Sequence, residues 1–139
     1  MLEYTLEHEW KEPWSLSVME GLLSFNAHHI VRGQEQKLSI IVKSKGNNEV
    51  VGGLLGQTMH GWLYIGWLWT SESYRKHGIA TELMRRAEDE ARRRGCHHAH
   101  LTTLEFQARE FYEHRGYAVF GVLDDYPRPY KRFFLQKVL

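Results

Sequence analysis

The chain has 139 residues, 42% of them hydrophobic, a formal net charge of +1 at pH 7 and one cysteine. This composition suggests neither intrinsic disorder nor general polyanion binding, and the single cysteine excludes an internal disulfide framework. The length predicts a single domain over residues 1–139 with a hydrophobic core of its own. No apolar run approaches the roughly 20 residues of a membrane span, and no signal peptide is recognisable at the N-terminus. We therefore expect a cytoplasmic protein with no membrane partner.

The first half of the chain is predicted to contain one helix and four strands. Alternation of apolar and charged residues suggests a short strand over Leu2–Leu6. The apolar residues from Trp14 to Ile30 recur with mostly helical spacing, which predicts a helix, and Asn26–Gly33 then breaks the pattern. Three further strands follow, at Lys37–Lys43, Glu49–Gln57 and Trp62–Thr70. The turn before Glu49 makes the first two of these a hairpin. Within that hairpin, Gly52-Gly53 predicts a bulge or a close approach of two backbones.

The second half alternates helices and strands. The predicted elements are a helix over Ile79–Arg94, a strand over His98–Leu104, a helix over Ala108–Arg115, and strands over Tyr117–Leu123 and Arg132–Val138. The first of these helices should bury Ile79, Leu83, Ala87 and Ala91 and expose a charged face that includes Glu88. A strand–helix–strand crossover requires parallel strands, so the sheet should be mixed.

A basic turn between the Trp62–Thr70 strand and the following helix predicts an anion site. The amide N–H groups at a helix N-terminus lack partners and carry partial positive charge. Arg75 and Lys76 add two full charges, while Gly78 and Ala80 leave room for a ligand to approach the backbone. Neither a Walker loop nor a G-x-G-x-x-G fingerprint is present, so the pattern indicates a phosphate or pyrophosphate site of another kind.

The turn, Arg75-x-x-Gly78-x-Ala80, resembles the R/Q-x-x-G-x-G/A signature of the GNAT superfamily of acyl-CoA-dependent N-acyltransferases. A second block, Ala108-x-x-Phe111-Tyr112-x-x-x-Gly116-Tyr117, is similar to that family's A-x-x-F-Y-x-x-x-G-F/Y segment. The resemblance covers roughly residue 49 to the C-terminus. It implies an α/β fold with a mixed, mostly antiparallel seven-stranded sheet, flanking helices and two parallel central strands that splay apart.

The resemblance also implies acetyl-CoA as co-substrate and direct attack of an amine in a ternary complex. The pantetheine arm would pair with the backbone of Leu68 and Thr70 beside the splayed strands. The pyrophosphate would lie on the turn and the helix start. The residues of that second site are Arg75, Lys76, His77, Gly78, Ile79 and Ala80.

Two residues are candidates for acid–base chemistry. Tyr112 matches the family's tyrosine near the CoA sulfur, where a phenol can give a proton to the departing thiolate. Its alternative role is that of a core aromatic beside Phe111. Glu105 is the best candidate base, although many relatives carry an Asn there that contacts CoA. A solvated loop acid is the alternative for Glu105.

The acceptor is predicted to be a small cationic amine. His28 and His29 end the first helical segment, which forms one wall of the acceptor cleft in the family. Asp124 and Asp125 open the facing loop and could hold a cation together with neighbouring tyrosines. Plain turn chemistry is the alternative for the acidic pair. His98 and His100 should share one strand face, but the ligand spacing does not favour a metal site.

Two other functions remain open from the sequence. One is a non-catalytic acyl-CoA-binding regulatory module that kept the anion turn. The other is a nucleic-acid-binding domain that uses the arginines of the long helix at positions 85, 86 and 92–94. Interleaved acids favour a solvated helix face over a nucleic-acid surface, so no nucleic-acid partner is expected. A homodimer stays open.

Overall fold

A computed structural model describes all residues from 1 to 139, and the chain divides into two compact units, Met1–Gln34 and Glu35–Leu139. The single domain inferred from length stays a prediction. No helix in the chain combines the length and the apolar character that a membrane crossing requires.

The N-terminal unit contains one helix, α1, over Trp14–Asn26. It begins directly after Pro13, whose fixed φ suits a helix start. The helix ends at Asn26, where the sequence pattern breaks, and the Asn26 carbonyl accepts hydrogen bonds from the amides of His29 and Ile30 in a turn. The predicted strand at Leu2–Leu6 is wrong, since these residues join no sheet. Alternation makes a strand only where a neighbouring strand completes the ladder.

The C-terminal unit is a six-stranded sheet, so the prediction of seven strands is wrong and the prediction of a mixed α/β fold is confirmed. Its strands run in the spatial order β1-β2-β3-β4-β6-β5. Their bounds are β1 Gln36–Lys43, β2 Val50–Met59, β3 Trp62–Thr70, β4 His98–Leu104, β5 Ala118–Leu123 and β6 Arg132–Val138. Only β3 and β4 pair in parallel.

Two helices accompany the sheet, α2 over Ile79–Arg93 and α3 over Arg109–His114. The crossover through α2 is what makes β3 and β4 parallel. The alternate strand residues that face α2 build the core. The largest fully buried side chains are Leu54, Leu63, Leu83, Met84, Leu101 and Leu135.

The glycine pair of β2 makes the close backbone approach that the sequence predicted. A Cβ added at Gly52 would lie 3.1 Å from the Trp69 carbonyl oxygen, and one at Gly53 would lie 3.0 Å from that of Ile40. A register shift also falls beside the pair, where Val42 faces Gly52 and the next pair is Lys43 with Val50.

The charged side chains on the surface of α2 form ion pairs with one another. Each arginine that a nucleic-acid-binding domain would use pairs with an acid of α2: 85 with Glu82 and Asp89, 86 with Glu82, 92 with Asp89, and 93 and 94 with Glu90. Arg94 also donates to the Gln36 and Lys37 carbonyl oxygens, which ties the helix end to β1. These pairs leave little free positive charge for a polyanion.

Candidate active site

The parallel strands β3 and β4 separate along their length. They pair only from Trp62 with His98 to Ile65 with Leu101. Beyond Ile65, β3 continues to Thr70 paired with β2 alone, and β4 continues to Leu104 paired with β6 alone. The splay implied by the family resemblance is therefore present. It opens a gap in which backbone N–H and C=O groups of β3 stay outside the ladder.

A bulge at Gly66 coincides with the point where the strands part. Leu55 pairs with Trp67 and Gly56 with Ile65, so Gly66 has no partner on β2. A bulge bends and twists its strand, which accounts for the divergence of β3 from β4. Sequence reasoning missed this position, although a glycine inside an apolar strand is the ordinary signal for a bulge.

The turn after β3 presents the start of α2 without a cap. Gly78 takes φ +77° as the N-cap residue and no side chain caps the helix, so its first amides are open to a ligand. A Cβ added at Gly78 would meet no atom within 4 Å, so the space above the backbone is free. The Nε of Arg75 donates to the Thr70 carbonyl at 3.2 Å, which fixes the turn against β3. His77 Nδ1 lies 3.1 Å from the Tyr74 carbonyl oxygen.

A cavity of about 290 Å³ lies at this turn and gathers most of the predicted cofactor residues. Its walls are Thr70, Tyr74, Arg75, Lys76, Gly78, Ile79, Ala80, Thr81 and Phe111. Phe111 brings α3 to the site. Of the other two predicted residues, His77 lines a neighbouring groove beside β1, and Leu68 packs against the core.

Two buried hydroxyls at the end of β3 have no hydrogen-bond partner. They are Thr70 Oγ1 and Ser71 Oγ. A buried polar group without a partner is costly and rare in folded proteins, so it points to a ligand that completes it. Together with the uncapped helix, these groups fit a long ligand that carries both amides and a pyrophosphate.

Tyr112 is buried on α3 within an aromatic cluster. Its ring centroid lies 5.2 Å from that of Phe111 and 6.2 Å from that of Tyr117. Burial raises the pKa of the Tyr112 phenol, because the ionised form loses its water. The phenol therefore keeps its proton at neutral pH, as a proton donor must.

A buried carboxylate supports this cluster from α2. The prediction that Glu88 is on the exposed face is wrong: the residue is 2% exposed. Its carboxylate accepts hydrogen bonds from the Tyr117 hydroxyl and from Lys137 Nζ, both at 2.8 Å. Burial, and next the charge of Glu88, raise the pKa of Tyr117. The spacing contained a signal, since Glu88 lies four residues after Met84 on the buried side of the helix.

A second cavity, of about 840 Å³, brings together two predicted residues from distant parts of the chain. Glu105 follows β4, and Asp124 follows β5. Lys131 lies between them and forms an ion pair with Asp124, and its backbone carbonyl accepts a hydrogen bond from the amide of Glu105. The pKa of Lys131 is raised, first by its hydrogen bond to Asp124 and by the charge of that residue, and then by the charges of Glu105 and Asp125. Tyr112 lines neither of the two cavities.

The loop between β5 and β6 already uses several groups predicted to bind the acceptor. Asp125 Oδ2 pairs with Arg128 at 3.3 Å. The guanidinium of Arg132 lies 4.1 Å from the centre of the Tyr126 ring. These contacts lower the negative charge available to a cationic ligand, so the acceptor role of Asp124 and Asp125 stays a prediction.

The histidines fall into two groups. His28 and His29 lie in the N-terminal unit just after α1, where the Phe25 and His29 rings are 6.0 Å apart, and their substrate role stays a prediction. His98 and His100 share a strand face, as predicted, and their rings pack against Trp62. Burial lowers the pKa of His100. No group of three or more His, Cys, Asp or Glu side chains is close enough to hold a metal ion.

Comparison with known proteins adds evidence independent of this geometry. A family model described as the acetyltransferase (GNAT) family matches residues 3–117. Acetyltransferase Atu2258 of Agrobacterium fabrum is 36% identical over 107 residues, which cover 77% of each chain. Blasticidin-S acetyltransferase of Streptomyces morookaense is 38% identical over 80 residues, 57% of this chain and 59% of that one. A crystal structure of an acetyltransferase from Bacillus cereus aligns with TM-score 0.88 at 27% identity and covers 98% of both chains.

Proposed function

The chain belongs to the acetyltransferase (GNAT) family and is an acetyl-CoA-dependent acetyltransferase, and on this premise we propose that it acetylates the primary amine of a small cationic molecule in a ternary complex. The observation that carries the proposal is the gap between β3 and β4 beside the uncapped start of α2. A gap of this kind accepts an extended amide chain, and the helix start accepts its pyrophosphate.

The proposed binding of acetyl-CoA divides between strand and turn. The backbone of Leu68 and Thr70 would pair with the pantetheine amides, and the orphaned Thr70 hydroxyl offers a further polar contact. The amides of Ile79 and Ala80, with Arg75 and Lys76, would hold the pyrophosphate. His77 would contribute its backbone to this site and stabilise the turn. This arrangement holds the thioester in place for attack.

The proposed chemistry is a direct transfer with two proton movements. The neutral amine nitrogen attacks the thioester carbon, the carbon–sulfur bond breaks, and the thiolate leaves with the bonding electron pair. Tyr112 gives its proton to that sulfur, which its raised pKa allows at neutral pH. The amine loses its extra proton to a base, for which Glu105 is the candidate, and the proton returns to Tyr112 through solvent.

The acidic second cavity supports a cationic acceptor. Three carboxylates line it, those of Glu105, Glu110 and Asp124, against the two cations Arg109 and Lys131. The net negative balance favours an amine ligand. The blasticidin-S relative also acts, by its name, on a small molecule. We propose the same acceptor class here.

The test is a panel of amines assayed for release of free CoA. The panel includes polyamines, nucleoside and aminoglycoside antibiotics, amino acids and peptides with free N-termini. We expect turnover with at least one small cation and little with neutral or anionic amines. Preference for peptides over every small cation would contradict the acceptor class, and acetyl-CoA binding without turnover of any amine would contradict the proposed reaction.

A further inference from the structure

The short helix α3 is closed at its C-terminal end by a Schellman motif. The amide of Tyr117 donates to the Tyr112 carbonyl at 3.0 Å. The amide of Gly116, which takes φ +94°, donates to the Glu113 carbonyl at 3.0 Å. A helix of six residues is not stable alone, so its place in the fold depends on its anchors. The position of Tyr112 therefore depends on where Tyr117 is held.

Tyr117 is held from α2 by the side chain of Glu88. The Tyr117 hydroxyl donates to one carboxylate oxygen of Glu88 at 2.8 Å, and Lys137 Nζ donates to the other at 2.8 Å. Glu88 and Tyr117 are 2% and 3% exposed, so water does not compete for these hydrogen bonds. Lys137 Nζ also lies 5.5 Å from the centre of the Tyr117 ring. These contacts fix the Tyr117 ring between α2 and β6.

Stability alone does not account for a carboxylate at this place. Burying Glu88 and the ammonium group of Lys137 costs desolvation free energy, and apolar residues of similar volume are often as stable as a buried ion pair. A hydrogen bond differs from apolar packing because it is directional. The carboxylate therefore adds a defined orientation of the Tyr117 hydroxyl, and with it of the ring.

We propose that Glu88 is a positioning residue, which acts through Tyr117 to hold the Tyr112 phenol in place for proton transfer to the CoA sulfur. The inference rests on the proposed function, in which Tyr112 is the proton donor. The Tyr112 and Tyr117 rings lie 6.2 Å apart at an interplanar angle of 73°, which is an edge-to-face contact. The Tyr112 hydroxyl has no side-chain hydrogen bond of its own, so ring packing and the backbone of α3 orient it.

Helix α2 connects this network to the proposed pyrophosphate site. Gly78 is the N-cap residue of the helix, and Glu88 follows ten residues later, at position 88 against 78. This separation corresponds to about 15 Å along the helix axis. One helix would thus hold the pyrophosphate at its start and, through Tyr117, the proton donor near its middle. Because a misplacement of about 1 Å can lower a rate about 10²-fold, loss of the anchor should lower kcat.

Kinetics of three variants test the positioning role, with the amine of the panel that is turned over fastest. Tyr117→Phe removes the hydroxyl and keeps the ring, so kcat should fall about 10-fold while the KM for acetyl-CoA changes less than about twofold. Glu88→Gln should keep most of kcat, because its amide oxygen can still accept the Tyr117 hydroxyl. Leu38→Val is the matched control, since it removes a methylene from the core on β1, at the opposite edge of the sheet from β5, and should leave kcat unchanged.

A double mutant separates positioning from a general loss of structure. Tyr117→Phe should lower kcat in the wild-type background and not in the Tyr112→Phe background, because the two residues act as one unit. An equal fall in both backgrounds would overturn the positioning role. So would an unchanged kcat in Tyr117→Phe when Tyr112→Phe is impaired, and the acid role of Tyr112 would then stand. An unchanged kcat in Tyr112→Phe would contradict the proposed chemistry instead.

A ¹⁹F NMR spectrum gives a readout that needs no acceptor. We expect 3-fluorotyrosine at position 112 to give a resonance that is shifted or broadened by Tyr117→Phe and unchanged by Leu38→Val. Such a change would show that the Tyr117 hydroxyl controls the environment of the Tyr112 ring. Superimposable spectra of the wild type and Tyr117→Phe would overturn the proposal.

Discussion

A single residue, Gly78, governs access to the proposed pyrophosphate site. Its φ of +77° favours glycine, yet an added Cβ would meet nothing within 4 Å. Substitutions of Gly78 by alanine and by glutamate therefore separate the effect of backbone strain from the effect of a side chain that blocks the ligand. Alanine introduces only the strain of the left-handed conformation, about 1–2 kcal/mol. Glutamate adds the same strain together with a charge that repels phosphate.

We predict that acetyl-CoA raises the melting temperature of the wild type and of Gly78→Ala, and not that of Gly78→Glu. A ligand at 100 times its Kd stabilises by about 2.7 kcal/mol, which thermal shift resolves easily. Absence of a wild-type shift at millimolar acetyl-CoA would contradict the cofactor site. An equal rise in the melting temperature of Gly78→Glu would show that the pyrophosphate binds elsewhere.

Tyr112 is the residue on which the proposed chemistry depends. Tyr112→Phe should lower kcat by roughly 10²–10⁴-fold, as expected when a general acid is lost, with acetyl-CoA affinity changed only a few-fold. Because burial raises the pKa of the phenol, ionisation of Tyr112 should cause no loss of activity below about pH 10. Stopped assays over a pH series provide the measurement. An unchanged kcat, with chemistry shown to limit turnover, would reduce Tyr112 to a packing role.

At the scale of elements, Glu88 joins α2 to the start of β5 and to β6 through Tyr117 and Lys137. Glu88→Ala should lower the free energy of unfolding by about 1–3 kcal/mol, because the buried Tyr117 hydroxyl loses its acceptor. Asp89→Ala is the matched control on the exposed side and should leave stability nearly unchanged. Urea denaturation measures both variants. Equal midpoints for the two would indicate that the buried network does not stabilise the fold.

At the scale of the whole molecule, the second cavity exists only because β4, α3, β5 and β6 converge. Asp124→Asn with Asp125→Asn should raise the KM of a cationic acceptor at least tenfold and leave that of acetyl-CoA unchanged. Steady-state kinetics with the best amine of the panel provides the measurement. Since Lys131 and Arg128 already pair with these acids, an unchanged KM would assign the acidic pair to loop structure alone.

Local patterns predicted most of the elements because their causes are local. Apolar spacing placed α2 within one residue of its observed bounds and located β3 without error. The two glycine-containing motifs placed the turn at Gly78 and the aromatic pair of α3, since backbone conformation and helix register depend on neighbouring residues. The predictions that failed, the strand at Leu2–Leu6 and the exposed Glu88, concern partners that lie elsewhere in the chain.

Tertiary structure alone decided three features of the candidate site. The gap between β3 and β4, which the family resemblance implied, has its cause in a bulge that the pairing of Gly66's neighbours with β2 establishes. The Glu88 network joins residues up to 49 positions apart. The meeting of Glu105, Asp124 and Lys131 depends on the order in which β4, β6 and β5 lie side by side. Strand order and register arise from contacts between distant segments, which periodicity along the chain does not encode.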